Sequence, residues 1–129
     1  MNIETIKETV NLSLGGKITF PQVVGMLLKE GIESYHVDFV RAENRYYTAS
    51  GEIYLESVPH KFPIAAKEFS ASSVSAIIKK VQAGKINYQE FIEEVMAAGC
   101  IYYIAYLAGK RVIYFGREGD FHVEHFPKN

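Results

Sequence analysis

GGKITFPQVVGMLLKEGIESYHV (residues 15–37) and AGKINYQEFIEEVMAAGCIYYIA (residues 83–105) align without a gap when the chain is slid by 68 residues. Gly16, Lys17 and Ile18 then meet Gly84, Lys85 and Ile86, Gly31 meets Gly99, and Tyr35 meets Tyr103. The register continues to the end of the chain. Tyr46 meets Tyr114, and GEIYLESVP (51–59) meets GDFHVEHFP (119–127), matching Gly51 with Gly119, Glu56 with Glu124 and Pro59 with Pro127. The identities are few but fall where backbone geometry is most demanding, which is the pattern of an internal duplication. The expected organisation is a single domain of two repeats, about 1–59 and 70–127, joined by HKFPIAAKEF (60–69).

Each repeat reads α-α-β-β-β. Ile3, Ile6 and Val10, and Val74, Ile77, Ile78 and Val81, recur at helical spacing. Serines around Ser70 to Ser73 suit a helix N-cap. Thr19 with Gln22, and Asn87 with Glu90, stand in capping-box relation, with Ile18/Val23 and Ile86/Phe91 as hydrophobic staples. Pro21 falls in a first turn, where its missing N–H is harmless. Gly31 and Gly99 then end the helices as left-handed residues. SYHVDFVR (34–41) and CIYYIAYL (100–107) begin the strands, with hairpins expected at Ala42-Glu43-Asn44 and Ala108-Gly109-Lys110. RYYTAS and RVIYFG follow, then EIYLES and FHVEHF, which Pro59 and Pro127 terminate. The fold class is α+β: an antiparallel sheet of about six strands with helices packed on one side.

Length and composition bound the function. A chain of 129 residues can bury a core without staples. Its formal charge is −1 with the basic residues scattered, so no phosphate-tracking patch is expected and nucleic acid is not a partner. The single Cys100 excludes an intramolecular disulfide and suits a reducing compartment. MNIETIKETVNLSLGG lacks the apolar run of a signal peptide, and no segment reads as a membrane span, so a cytoplasmic location is expected. Nine Tyr and eight Phe with no Trp suit half-wet sheet faces, ligand pockets and interfaces alike.

Few residues carry candidate chemistry. GGKITFPQ resembles a calcium loop only in its glycine and isoleucine. The ligand positions hold Asn11, Ser13 and Gly15 in one repeat and Lys79, Val81 and Ala83 in the other, so neither calcium nor any other metal is expected there. His122 and Glu124, two apart in a strand, share a face, while His125 points to the other. The ordinary reading is a polar strand face; the sharper one is a metal or acid/base site. Glu124 has a counterpart in Glu56, which suggests a scaffold role such as a cross-strand pair, whereas His122 and His125 replace Tyr54 and Ser57. His36 and Asp38 form a second same-face pair. Packing about a pseudo-twofold axis would gather His36, Asp38, His122 and Glu124 into one His–carboxylate pocket. Cys100 reads as a buried small hydrophobe rather than a nucleophile. Arg117, in the Gly116-Arg-Glu-Gly119 turn, reads as a solvent-exposed side chain, with anion binding the alternative.

The segments GKINY, AGC, VIYFGREG and HVEHFP, with YHVDF and RYY in the first half, resemble a prophage-associated bacterial family of unknown function, of about this length and sometimes labelled "phage envelope protein". That resemblance runs across nearly the whole chain and implies a duplicated α+β fold with no established activity. Its recurring residues map to Tyr35, Asp38, Tyr46, Tyr47, Gly99, Tyr103, Tyr114, Gly116, Arg117, Gly119, His122, Glu124 and Pro127. The envelope label finds no support in a chain that shows neither a membrane segment nor an export signal.

The expected function is a non-enzymatic accessory or interaction module without a cofactor. It would act through a protein or small-molecule contact on an aromatic sheet face, with Tyr35, Tyr103, Tyr114 and Arg117 as candidate ligand-binding residues. Homo-oligomerisation through edge strands or the tyrosine-rich face is a further expectation. The alternative is a metal-assisted or acid/base enzyme working through His36, Asp38, His122 and Glu124.

Overall fold

Side-chain caps start each helix. The computed structural model describes residues 1–127. Helix α1 (Ile3–Leu14) begins at Asn2, whose side-chain oxygen accepts from the N–H groups of Glu4 and Thr5. Helix α2 (Phe20–Lys29) opens on a complete capping box between Thr19 and Gln22. Helix α3 (Ala71–Gln82) is capped by the Ser70 hydroxyl, and α4 (Tyr88–Ala97) by a capping box between Asn87 and Glu90. These contacts satisfy first-turn donors that would otherwise be orphaned. Gly31 and Gly99, at φ +78° and +96°, then turn the chain out of α2 and α4 into strands.

The strands are β1 (Ile32–Asp38), β2 (Glu43–Thr48), β3 (Ile53–Ser57), β4 (Cys100–Tyr106), β5 (Arg111–Gly116) and β6 (Phe121–His125). Every element of the first half has a counterpart of equal length 68 residues later. Among the described residues the two non-glycine positions with left-handed backbone, Ala42 and Lys110, are related by the same offset. The first hairpin differs from its expected place, because Glu43 and Asn44 already belong to β2. Within that reversal Asp38 Oδ1 accepts from the N–H groups of Val40 and Arg41, while the second hairpin turns over the matching residues 107–110 with Tyr106 at the position of Asp38.

The six strands form one antiparallel sheet in the order β3-β2-β1-β4-β5-β6. The halves join where β1 pairs with β4, placing His36 opposite Ile104, which is also its counterpart in the 68-residue offset. Directly opposed residues share a face. One row therefore runs Tyr54-Tyr46-Tyr35-Ala105-Val112-Glu124, and the next on that face runs Glu56-Asn44-Val37-Tyr103-Tyr114-His122. The helices cover this face. Their buried Ile6, Leu27, Val74, Ile78, Phe91 and Val95 form one core with Tyr35, Tyr46, Tyr103 and Ala105. The opposite face, with His36, Tyr47, Tyr102, Ile104, Ile113 and Phe115, contributes nothing to that core. Among the described residues, no helix is long and apolar enough to cross a membrane.

The connection 60–69 is pinned rather than loose. His60 Nε2 donates to the Phe39 carbonyl at 2.8 Å, and Ala66 N–H donates to the Met96 carbonyl at 3.0 Å. It passes so close to Gly99 that a Cβ there would meet the Glu68 carbonyl oxygen at 2.2 Å, whereas a Cβ on Gly31 would meet nothing within 4 Å. Both glycines carry positive φ, so alanine at either is strained by about 1–2 kcal/mol. Gly99→Ala adds a backbone clash. Urea unfolding should therefore show Gly31→Ala losing about 1–2 kcal/mol and Gly99→Ala losing clearly more; equal losses would mean that the connection does not pack as described.

A tyrosine-floored cavity as candidate functional site

Four adjacent strands each send a tyrosine to the helix-covered face: Tyr46 from β2, Tyr35 from β1, Tyr103 from β4 and Tyr114 from β5. Alternation in each strand aims them there, and their rings pack into a continuous floor. Tyr35 stacks on Tyr46 at 5.4 Å between centroids and meets Tyr103 edge-on at 6.4 Å; Tyr103 lies 5.4 Å from Tyr114. A fifth, Tyr88, descends from the first turn of α4, and its hydroxyl hydrogen-bonds that of Tyr103 at 2.7 Å. Asn44 Nδ2 donates to the Tyr46 hydroxyl at 3.1 Å.

Above this floor the two helical hairpins do not close. They leave a cavity of about 660 Å³, walled by Val10 and Ser13 of α1, Ile78 and Val81 of α3, and the turns through Gly16 and Gly84. A volume of this size lies within the roughly 300–1,000 Å³ typical of small-molecule pockets. Phe20 and Phe126 meet edge-to-face at 5.4 Å over the end nearest β6. The other end of the floor borders a smaller cavity of about 250 Å³ beside the connection, between Phe39, His60 and Phe62.

The two halves furnish the cavity differently. At the position of Asn44 the second half has Val112, so the Tyr114 hydroxyl lacks the bond that Tyr46 receives. At the position of Tyr88 the first half has Phe20, which carries no hydroxyl to tie α2 to the floor. At the sheet edges, Tyr54 donates its hydroxyl hydrogen to Glu56, while His122 Nε2 lies 3.1 Å from Glu124 Oε1. Glu124 lines the large cavity.

Burial sets the chemistry of the floor. It pushes the phenols of Tyr35, Tyr103 and Tyr114 well above their usual range, raises Tyr46 as well, and takes Tyr88 to about 12. All five are therefore neutral hydrogen-bonding groups near pH 7. Burial likewise lifts the Cys100 thiol to about 12, so it remains protonated and weakly nucleophilic.

The four-residue pocket of the alternative reading does not form. His36 and Asp38 project from the open face of β1, His122 and Glu124 from the helix-covered face of β6. Three strand spacings, about 14 Å, also separate the pairs. β1 lies in the middle of the sheet and β6 at its edge, and the two pairs occupy strand positions that face opposite sides. Among the described residues no three His, Cys, Asp or Glu side chains are grouped to hold a metal. Glu124 pairs with His122 of its own strand rather than across strands. Arg117 is exposed, as expected, and donates from Nη1 to the Ala65 carbonyl of the connection at 3.3 Å; it does not line the tyrosine-floored cavity. Tyr35, Tyr103 and Tyr114 do come together in the cavity floor. The sequence reading missed Tyr88 and Asn44 as members of the same site.

His36 on the open face is held below its usual 6.5, first by burial and then by the Arg45 guanidinium, with Asp38 opposing. Between the lowered folded value and 6.5 the unfolded chain binds the extra proton, so this contribution to stability is present above 6.5 and is lost as pH falls through that window. His36→Gln should flatten the loss of unfolding free energy below 6.5 in a pH series; parallel profiles for variant and wild type would contradict this placement of the ring.

Residues 55–124, more than half of the chain, match the model of a family described as "Protein of unknown function (DUF1398)". The match runs from β3 through the connection and both helices of the second half into β6. No curated protein matches the chain. On the extent of the family match, the chain belongs to the DUF1398 family of proteins of unknown function.

Proposed function

We propose that this protein is a small-molecule binding module whose ligand occupies the cavity between the helices and the tyrosine floor. The observation that carries the reading is the combination of volume and lining: about 660 Å³ faced mainly by apolar and aromatic groups, with a few hydroxyl, amide and carboxylate groups among them. Protein interiors pack near crystal density, and a sealed void costs about 24 cal/mol per Å³. An empty closed space of this size would rival the roughly 5–15 kcal/mol that holds a domain together. The cavity is instead an open cleft, with Phe20, 36% exposed, in its lining.

Neutral phenols in the lining suit recognition through hydrogen bonds and ring faces. The enzyme alternative required His36, Asp38, His122 and Glu124 in one pocket, an arrangement that the sheet geometry opposes. The prophage association and accessory role belong to this proposal and rest on the sequence resemblance alone.

Indole is a suitable neutral probe. It should raise the melting temperature, since a ligand at one hundred times its Kd stabilises by about 2.7 kcal/mol. Val112→Phe, which fills the floor, should abolish the shift, while Ile104→Phe on the opposite face should leave it intact. Equal effects of the two substitutions, or no shift in wild type, would overturn the reading.

A further inference from the structure

We propose that the ligand is a small hydrophobic amine, bound as its ammonium ion against Glu124 with its apolar body over the rings of Tyr103 and Tyr114. The inference rests on the cavity reading above and adds the charge of the ligand.

Three observations converge on one end of the cavity. First, Glu124 brings a carboxylate to the lining at 27% side-chain exposure, and among the described residues its one partner is His122, at Oε1. The matching Glu56 accepts the Tyr54 hydroxyl and does not line the cavity, so the second half alone presents its carboxylate. Second, Val112 in place of Asn44 leaves the Tyr114 hydroxyl without an amide partner beside that carboxylate. Third, the floor is built of tyrosine rings, whose electron-rich faces attract ammonium groups and repel carboxylates.

The remaining charged groups of the lining do not reverse this preference. Glu90 is another carboxylate, with Oε1 held by the Asn87 N–H. Lys85 and His125 are exposed at the rim. A cation moved from water into a mainly apolar cleft needs a paired anion, and Glu124 supplies it; an anion placed there would meet Glu124 and the ring faces instead.

The chain contains no tryptophan, so an indole ligand can be excited on the red edge of its absorption without protein background. Tryptamine, tryptophol and indole-3-acetate share one ring and differ in the terminal group: ammonium, neutral hydroxyl, carboxylate. Fluorescence titration should give tryptamine about tenfold tighter than tryptophol, the scale of a charge-assisted hydrogen bond, with indole-3-acetate weakest. Glu124→Gln, nearly isosteric, should erase the advantage of tryptamine while leaving tryptophol unchanged, and Tyr114→Phe should weaken tryptamine more than tryptophol. Should Glu124→Gln fail to fold, a salt titration of the wild type reads the same charge: tryptamine binding should weaken and tryptophol binding hold. Equal affinities for the amine and the alcohol would overturn the ammonium inference and leave the cavity reading standing. Failure of all three probes to bind would overturn both.

Discussion

The antiparallel pairing of β1 with β4 is the constraint on which the rest of the structure depends. It makes one six-stranded sheet from two halves that each offer only three strands. By setting His36 against Ile104 it also decides which residues share a face across the whole sheet. A slip of one residue would exchange the faces of one half, moving Tyr103 and Tyr114 to the open side and breaking the floor. The tyrosine floor is therefore a consequence of register before it is a property of any strand.

Register also explains why nearly equal halves make an unequal site. Counterparts fall at opposite edges of the sheet, so a difference between the halves becomes a difference between the two ends of one cavity. Asn44 against Val112 and Tyr88 against Phe20 are each a local change. Together they satisfy one end with hydrogen bonds, and at the other leave a hydroxyl, a carboxylate and the Phe20–Phe126 contact. The His122/Glu124 contact and the Tyr54/Glu56 contact use the same geometry, with imidazole replacing phenol as the carboxylate's partner. The histidine thus preserves an edge contact and lets the carboxylate line the cleft.

Local chemistry was readable from the residues because it is local. Caps at Thr19 and Asn87, left-handed glycines after α2 and α4, and strand-ending prolines each follow from a few neighbouring side chains. The first hairpin turn falls at 39–42, earlier than composition alone puts it and at the same place relative to its strands as 107–110 in the second half, because pairing of whole strands sets where a reversal lies. Strand order between the halves has no such local signature, and so the convergence of His36 and Asp38 with His122 and Glu124 failed. Tyr35, Tyr103 and Tyr114 stood out as strand aromatics, whereas Tyr88 looked like any residue opening a helix. Only the fold of α4 onto β4 brings its hydroxyl to Tyr103. Arg117 reads as a solvent-exposed turn residue and is exposed, but nothing in its own turn reveals that the Ala65 carbonyl passes within reach.

The most direct test is where a bound ring lies relative to the two faces of the sheet. Nuclear Overhauser contacts between protonated indole and methyl-labelled protein distinguish them, because Val112 and Ile78 line the cavity while Ile104, Ile113 and Val123 occupy the other face. Contacts to Val112 and Ile78 are predicted, with none to the other three. Contacts confined to Ile104, Ile113 and Val123 would put recognition on the open face and contradict the cavity as the functional site.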